Sequence, residues 1–380
     1  MINTGKQIYD CAIVGGGLAG LSLAIQLAKA GKEVILFEKD IYPQHKVCGE
    51  YISNESWDFL IKLGLPLDSM VLPKISKLQV STPSGFLINH KLDLGGFGIS
   101  RYELDFGLFK IAKELKVKIL EATKVDDVQL VDGVFKITSG KDSYLSSVAV
   151  GTWGKRSNLD VKWERSFVSK QKKGLTNYVG VKYHIRTNFP EDLIALHNFK
   201  DGYCGISQIE DNKHCLCYLT TADNVRKFKS IQEMEQALLW KNPHLKKIFQ
   251  ESEFLFERPL VISQISFLSK SVEEHNVMMA GDSTGLIAPL CGNGMSMAFR
   301  ASKILADLLI EYFDEGYSYY VLEDSYKKQW RNSFSSRLFM GRFLQGMFGK
   351  VYMTEGIIRT LHYFPFIVSK LIKSTHGRPF

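Results

Sequence analysis

Residues 15–20, Gly-Gly-Gly-Leu-Ala-Gly, contain the glycine spacing G-x-G-x-x-G. In this spacing Gly15 permits a tight turn, Gly17 lets the backbone approach a pyrophosphate, and Gly20 lets the next helix pack closely on a sheet. Free N–H groups and a partial positive charge at the start of that helix favour phosphate groups. The spacing therefore predicts a dinucleotide site that comprises Gly15, Gly17, Leu18, Ala19 and Gly20.

The residues around the glycines follow the pattern of a strand, a helix and a second strand. Residues 8–14 are mostly apolar, residues 18–30 have helical periodicity, and residues 33–38 form a second apolar run. Such a β-α-β unit belongs to a parallel sheet. Glu38 ends the second strand, where a carboxylate suits the two hydroxyls of a ribose and would repel a 2′-phosphate. The unit therefore favours a dinucleotide other than NADP.

A second glycine-rich stretch at residues 281–294 has the spacing G-D-x-x-G-x-x-x-P-x-x-G-x-G. A long helix is predicted to follow it, over residues 294–313. Taken with the first motif, this stretch resembles the superfamily of p-hydroxybenzoate-hydroxylase-like FAD-dependent monooxygenases and geranylgeranyl reductases. The candidate cofactor residues of this stretch, with Asn293 at a variable position and Met295 directly after it, are Gly281, Asp282, Pro289, Gly292, Asn293, Gly294 and Met295.

The resemblance implies that both stretches bind one FAD. Asp282 would accept hydrogen bonds from the ribityl chain. The backbone of residues 292–294 and the following helix N-terminus would face the flavin pyrimidine. A helix N-terminus at that place stabilises negative charge on the reduced flavin, for the same reason that it binds phosphate.

Lys46-Val47-Cys48-Gly49-Glu50 is similar to the K-x-C-G-E stretch of geranylgeranyl-reductase-like proteins. In those proteins the segment runs along the flavin, which implies cofactor contacts for Lys46, Cys48 and Gly49. Cys48 is then the one candidate for a catalytic group, and a buried structural cysteine is the alternative. Gln44 stands where many relatives have arginine.

Two further segments match the family's motifs, one fully and one in part. Residues 101–108 are similar to R-x-x-L-D-x-x-L, in which the arginine, here Arg101, reaches the FAD. An exposed arginine at a helix start is the alternative, although the helix dipole disfavours it. Residues 151–157 resemble G-A-D-G-x-x-S, but Trp153 replaces an aspartate that the family ties to pyridine-nucleotide use. How NAD(P)H would be used is therefore open.

These matches predict an α/β fold with a Rossmann-type FAD-binding domain assembled from residues 1–71, 101–157 and 271–325. Alternating apolar and polar residues between these segments predict an antiparallel substrate-binding sheet. That domain comprises residues 72–100 and 158–270. Residues 326–380 form a C-terminal helical segment.

The C-terminal segment concentrates the basic charge of the chain. The formal net charge is +8, and residues 327–380 carry ten Lys or Arg and one acid. Residues 334–372 also contain many aromatic side chains. One interpretation is peripheral contact with a membrane, and the other is a helical cap on the substrate pocket. No nucleic-acid module accompanies the basic residues, so no nucleic-acid partner is expected.

Composition excludes several other classes. With 45% hydrophobic and 23% charged residues, the chain is globular rather than disordered. Six cysteines are too few for a disulfide scaffold, and Cys215 and Cys217 have no partners for a zinc site. The N-terminus lacks the features of a signal peptide, and no apolar run is long enough to span a bilayer. The expected location is the cytoplasm, with membrane association as an option.

The sequence therefore predicts an FAD-dependent oxidoreductase that acts on a hydrophobic small molecule, with NAD(P)H as a transient electron donor. Two chemistries remain open: monooxygenation, and hydride addition to an isoprenoid or lipid double bond. The alternative from another class is a flavin-binding electron carrier without turnover. His184, His197, His214 and Tyr203 are assigned no catalytic role.

Overall fold

Two β-sheets and their covering helices form the described part of the chain, which is residues 7–172, 177–288 and 292–380 of a computed structural model. The strands are β1 (Ile8–Val14), β2 (Val34–Phe37), β3 (Tyr51–Ser53), β4 (Lys74–Ser81), β5 (Leu87–Gly98), β6 (Lys118–Leu120), β7 (Asp127–Val131), β8 (Val134–Ser139), β9 (Asp142–Gly151), β10 (Tyr178–Arg186), β11 (Leu193–Phe199), β12 (Gly202–Gln208), β13 (His214–Thr221), β14 (Glu253–Phe254), β15 (Leu260–Ile265), β16 (Glu273–Glu274) and β17 (Val277–Met279).

The α-helices in the same ranges are α1 (Leu18–Lys29), α2 (Trp57–Leu63), α3 (Arg101–Glu114), α4 (Asn158–Lys162), α5 (Ser166–Lys172), α6 (Ala222–Lys227), α7 (Ile231–Leu238), α8 (Pro243–Glu251), α9 (Gly294–Glu315), α10 (Tyr319–Met347), α11 (Val351–His362) and α12 (Pro365–Thr375).

The first sheet has a parallel core in the order β17-β9-β1-β2-β6. Along β1, Cys11 and Ile13 belong to the core that includes α1, α3 and α9, whereas Ala12 and Val14 belong to the core on the opposite face. Because both faces are covered, the strand is apolar at nearly every position, as is typical of parallel sheets. The predicted α/β fold with a Rossmann-type unit is confirmed.

The second sheet runs in the order β14-β10-β13-β12-β11-β4-β5-β3, with β15 also paired to β10. Its pairs are antiparallel except for β11 with β4. Strand β3 comes from residues 51–53, within the segment predicted for the FAD domain. The chain thus crosses from the first sheet to the second directly after the K-x-C-G-E segment.

The C-terminal helices rest on both sheets. Helix α10 buries Tyr326, Trp330 and Phe334 in the main core of the first sheet. On α11 and α12, Ile358 and Val368 pack against residues of β4 and β5. No helix within the described ranges is both long and apolar enough to cross a bilayer.

Candidate functional site

Of the three glycines that define the motif after β1, Gly15 and Gly20 are tightly packed and Gly17 is open. Gly15 has φ +111°, and a Cβ placed on it would lie 2.5 Å from the carbonyl oxygen of Thr152. A Cβ on Gly20 would lie 2.0 Å from the carbonyl oxygen of Gly15, whereas a Cβ on Gly17 would meet no heavy atom within 4 Å. The backbone at Gly17 is therefore accessible to a ligand, as the spacing predicts.

Glu38 at the end of β2 is buried beside this turn. Its Oε2 accepts a hydrogen bond of 2.8 Å from the Gly16 N–H, and its Oε1 accepts one of 3.1 Å from the Asp40 N–H. The Tyr42 hydroxyl donates to the carbonyl oxygen of Gly16. These bonds fix the carboxylate at the edge of the turn, where the ribose of a dinucleotide would lie.

The two glycine-rich motifs meet at the start of α1. A Cβ on Gly281, which has φ +72°, would lie 3.1 Å from the Cβ of Ala19. Leu18 and Ala19 are buried in the core that α9 shares. Farther along the two helices, the hydroxyl oxygens of Ser22 and Ser302 lie 2.7 Å apart. Segments at opposite ends of the chain therefore form one surface.

Two buried cations support the turn that carries Asp282. Lys270 Nζ donates to the carbonyl oxygen of Asp282 at 2.9 Å, and Arg165 donates to that of Ser283 at 3.1 Å. Arg165 is 1% exposed and pairs with Asp160 at 2.8 Å. Burial lowers the pKa of Lys270 to about 8. Sequence reasoning missed both residues because they lie in segments without a recognised motif.

The loop before α9 has the conformation that its glycines allow. Gly292 has φ +64°, which disfavours any residue with a Cβ. Asn293 is fully buried, and its Nδ2 donates to the carbonyl oxygen of Thr375 at 2.6 Å. Gly294 begins α9, and Met295 is buried in the main core.

Three buried polar atoms along these motif segments have no protein partner within the described ranges. They are Gln44 Nε2, Tyr51 Oη and Asn293 Oδ1. Buried polar atoms are normally hydrogen-bonded, so these atoms match a bound group that supplies donors and acceptors. With the accessible backbone at Gly17, the residues present fit a dinucleotide that carries a flavin. Pro289, which was also predicted for the site, lies outside the described residues.

Arg101 opens α3 and forms a buried ion pair. Its Nε and Nη2 donate to the carboxylate of Asp105 at 2.6 and 2.8 Å, and Lys46 Nζ lies 3.1 Å from the same carboxylate. Burial opposes the charge of Arg101, but Asp105 holds the pKa of Arg101 above its usual range. The arginine side chain is only 14% exposed, so it is not a solvated residue at a helix start.

Glu50 is the centre of a buried polar cluster between the sheets. It is fully buried with φ +56°, and it accepts a hydrogen bond of 2.7 Å from the Arg101 N–H. Lys182 Nζ contacts Oε1 of Glu50, and His184 Nε2 lies 2.6 Å from Oε2. Burial would raise the pKa of Glu50, but Lys182 and His184 lower it to about 2.

The side chains of Lys182 and His184 come from β10, whose other face is apolar. Val181 and Tyr183 belong to the core behind the sheet, so the intervening residues face the first sheet. The sequence patterns predicted no role for His184 or Lys182. The signal that would have found Lys182 is a lysine in the middle of an otherwise apolar strand, because lysine is almost never fully buried unless it is paired.

Cys48 lies directly beside this cluster and is partly exposed. Its carbonyl oxygen accepts a bond of 3.2 Å from the thiol of Cys215, and a Cβ on Gly49 would meet no heavy atom within 4 Å. Cys217, the partner of Lys182 across β10 and β13, is also partly exposed. Burial, reinforced by Cys48, raises the pKa of Cys217 to about 12.

The same face of the second sheet continues into an apolar cluster. Its buried members Tyr203, Leu219, Ile265 and Leu286 pack with partly buried residues that include Leu196 and Phe348. Directly after Phe348, the carbonyl oxygen of Gly349 accepts a bond of 2.7 Å from the Asp201 N–H. The connection between α10 and α11 therefore covers this apolar face.

Trp153, which replaces the family's aspartate, has a structural environment. Its Nε1 donates to the carboxylate of Asp160 at 3.1 Å, and its ring packs edge-on against Trp163. The side chain is packed against the core on the far face of the first sheet.

Comparisons with known proteins agree with this geometry. A family model described as FAD dependent oxidoreductase matches residues 10–46. Conditioned medium factor receptor 1 of Dictyostelium discoideum is 25% identical over 345 residues, which cover 82% of this chain and 65% of that protein. Digeranylgeranylglycerophospholipid reductase of Methanosarcina acetivorans is 23% identical over 362 residues, covering 90% and 85%. Squalene monooxygenase of Rattus norvegicus is 23% identical over 326 residues, covering 79% and 54%.

Among solved structures, the flavin-dependent brominase Bmp2 has the same fold. The TM-score is 0.76 at 16% sequence identity, and the match covers 97% of this chain and 93% of that one. The fold, the two meeting glycine motifs and these relatives define an FAD-dependent oxidoreductase. The relatives that the chain resembles include geranylgeranyl reductases and FAD-dependent monooxygenases.

Proposed function

We propose that the protein reduces a carbon–carbon double bond of an apolar isoprenoid or lipid. The observation that carries this proposal is the partly exposed Cys48, which lies in the K-x-C-G-E segment and whose carbonyl oxygen contacts the thiol of Cys215 on the second sheet. FAD, when bound and reduced, supplies the hydride. The protein must then supply a proton and exclude water.

The proton is assigned to the thiol of Cys48. The thiol of Cys48 would give its proton to one alkene carbon while the other carbon takes up the hydride that reduced FAD would supply, so that the double bond becomes a single bond and a thiolate remains. Lys182, fixed by Glu50, lies close enough to interact electrostatically with Cys48 and would stabilise that thiolate. Solvent then returns the proton to Cys48.

The apolar substrate is assigned to the cluster of Tyr203, Leu219 and Phe348. Burial there excludes water from the reacting carbons, and no side chain in the cluster is charged. The residues assigned to FAD are those of the motifs: Gly15, Gly17 and Glu38 toward the nucleotide, and Arg101, Asp282 and residues 292–294 toward the flavin.

We also propose NAD(P)H as the electron donor, in a transient encounter. The test is anaerobic mixing of the oxidised protein with NADH and, separately, NADPH while flavin absorbance is recorded. Stoichiometric bleaching by either donor supports this assignment. Bleaching only by dithionite or by a reduced carrier protein contradicts it.

Monooxygenation is the second candidate, because relatives such as squalene monooxygenase act in that class and the apolar cluster would take the same substrates. A single-turnover experiment separates the two. The reduced protein is mixed with a phospholipid that carries geranylgeranyl chains, first without oxygen and then with it.

Anaerobic reoxidation of the flavin, with a product that has gained two hydrogens, supports the reductase. A product formed only with oxygen, and heavier by one oxygen atom, overturns it in favour of the monooxygenase. Bound FAD with no product in either case identifies an electron carrier.

Replacement of Cys48 tests its role as the proton donor. Cys48→Ser is expected to slow anaerobic turnover at least tenfold, whereas the matched variant Cys217→Ser leaves it within about twofold.

A further inference from the structure

The connection between α11 and α12 exposes a continuous aromatic surface. All five residues of 362–366, His-Tyr-Phe-Pro-Phe, are exposed. Tyr363 is 77% exposed, Phe364 is 43% exposed and Phe366 is 60% exposed. We name residues 362–366 the aromatic tip. Large apolar side chains scattered singly are normal on a surface, but a contiguous group indicates an interaction site.

Further exposed apolar side chains lie on the neighbouring helices. Phe339 and Phe343 share one side of α10 and are 66% and 53% exposed, and Tyr352 at the start of α11 is 93% exposed. The opposite sides of α11 and α12 are anchored, because Ile358 and Val368 pack on the second sheet. The helices are therefore held in place while their outer aromatic residues face solvent.

The charge of the C-terminal segment that carries the aromatic tip favours an anionic partner. Residues 327–380 have a net charge of +9, whereas the rest of the chain is close to neutral at −1. Arg342, Lys350 and Lys370 are exposed and form no ion pair with the residues that the structure describes. A second copy of this surface would bring like charges together. A partner with an anionic surface and an apolar interior fits both features.

We propose that the aromatic tip and these cations dock the protein on an anionic lipid bilayer. The aromatic side chains enter the boundary between headgroups and acyl chains, and the lysines and arginine contact the anionic headgroups. The helices lie on the bilayer rather than across it, since none within the described ranges has the length and apolarity to span. This inference does not depend on which reaction the site catalyses.

The test is flotation of the FAD-loaded protein with vesicles of phosphatidylcholine, with and without 30% phosphatidylglycerol. The intact protein is expected to bind the anionic vesicles and to be released by 0.5 M salt. Replacement of Tyr363, Phe364 and Phe366 by serine is expected to raise the lipid concentration for half-binding at least about tenfold. Reversal of charge at Arg342, Lys350 and Lys370 is expected to have a similar effect.

Tyr320→Ser is the matched control, because Tyr320 lies at the other end of α10 and is also 77% exposed. It should bind like the unaltered protein. Flavin content and circular dichroism verify that each variant is folded. Failure of the intact protein to bind anionic vesicles overturns the proposal, as does equal binding by the aromatic variant. Dimers that dissociate in the aromatic variant, without vesicle binding, identify a second copy as the partner instead.

Discussion

The carboxylate of Glu50 and the ammonium of Lys182 form an ion pair in which both side chains are completely buried. Glu50 belongs to the segment that crosses between the sheets, and Lys182 lies on the side of β10 opposite the apolar core of Val181 and Tyr183. Their bond therefore links the cofactor motifs to the second sheet, beside Cys48. Burying such a pair costs desolvation energy, but the pair holds the two segments in a fixed arrangement. Removing one partner leaves the other charge buried and destabilises the contact between the sheets.

Replacement of Lys182 by methionine is expected to lower the free energy of unfolding by about 3–5 kcal/mol, because it leaves the charge of Glu50 buried without its partner. The double variant Lys182→Met with Glu50→Gln should recover part of that loss. Urea unfolding of the apoprotein measures both. Lys213→Met is the control, since Lys213 forms partly exposed pairs with Glu210 and Asp211, and it should cost less than about 1 kcal/mol.

The same pair has a defined dependence on pH. The pKa of Glu50 is lowered to about 2 in the folded protein, from an unfolded value of about 4.3. Its stabilisation is therefore complete above the unfolded value and is lost as the pH falls toward 2. If the variant with only Lys182 replaced is as stable as the unaltered protein at neutral pH, the ion pair with Glu50 does not stabilise the fold.

Glycine substitutions at the turn separate folding from cofactor binding. Gly17→Ala adds a Cβ that meets nothing within 4 Å, so the apoprotein should lose less than about 1 kcal/mol. The affinity for FAD should nevertheless fall at least tenfold if a pyrophosphate lies against this backbone. Gly20→Ala places a Cβ 2.0 Å from a carbonyl oxygen and should destabilise the apoprotein itself. Titration with FAD and thermal unfolding distinguish these effects; an unchanged FAD affinity in Gly17→Ala would remove the pyrophosphate from this position.

Glu235 is expected to make stability fall as pH rises. Its Oε1 accepts hydrogen bonds from the hydroxyls of Tyr183 and Tyr218, and burial raises the pKa of Glu235 to about 7. The folded state therefore holds this proton more tightly than the unfolded state, whose pKa is about 4.3. The stabilisation is complete below the unfolded pKa and is lost as the pH rises through 7.

Between pH 4.5 and 8, the unaltered protein should lose about 3 kcal/mol more than the Glu235→Gln variant, as measured by unfolding at each pH. Parallel curves for the two proteins would show that Glu235 is ionised in the folded state throughout this range.

Arg101 tests whether the α3 ion pair also serves the cofactor. Arg101→Gln removes both bonds to Asp105 and should lower the affinity for FAD at least tenfold, because the resemblance assigns this arginine to the cofactor. Glu103→Gln on the same turn of α3 is the control, since Glu103 is exposed and should leave the affinity unchanged. If both variants bind FAD equally well, Arg101 has only a structural role.

Local patterns predicted the β-α-β unit of the first sheet, because such a unit is defined by short-range spacing. The turn at Gly15 and the strand that ends at Glu38 both follow from short-range sequence signals. The buried polar cluster could not be predicted in the same way, because Lys182 contacts Glu50 only after the two sheets pack together. Glu50 and Lys182 are 132 residues apart, so no periodic pattern in the sequence predicts their contact. The one sequence signal is a lysine within a mostly apolar strand. Likewise Arg165 and Lys270 stabilise the Asp282 turn from segments without motifs.

The pairing of β9 with β17 has a consequence for how such a protein changes over evolution. Gly151 and Met279 are direct neighbours in the first sheet, although the chain between them builds most of the second sheet. Strands this close, about 4.8 Å apart, leave a fixed pair of attachment points. Loop-closure entropy rises only slowly with the length of the inserted chain. The chain between these points can therefore vary in length and sequence while the parallel sheet keeps its register.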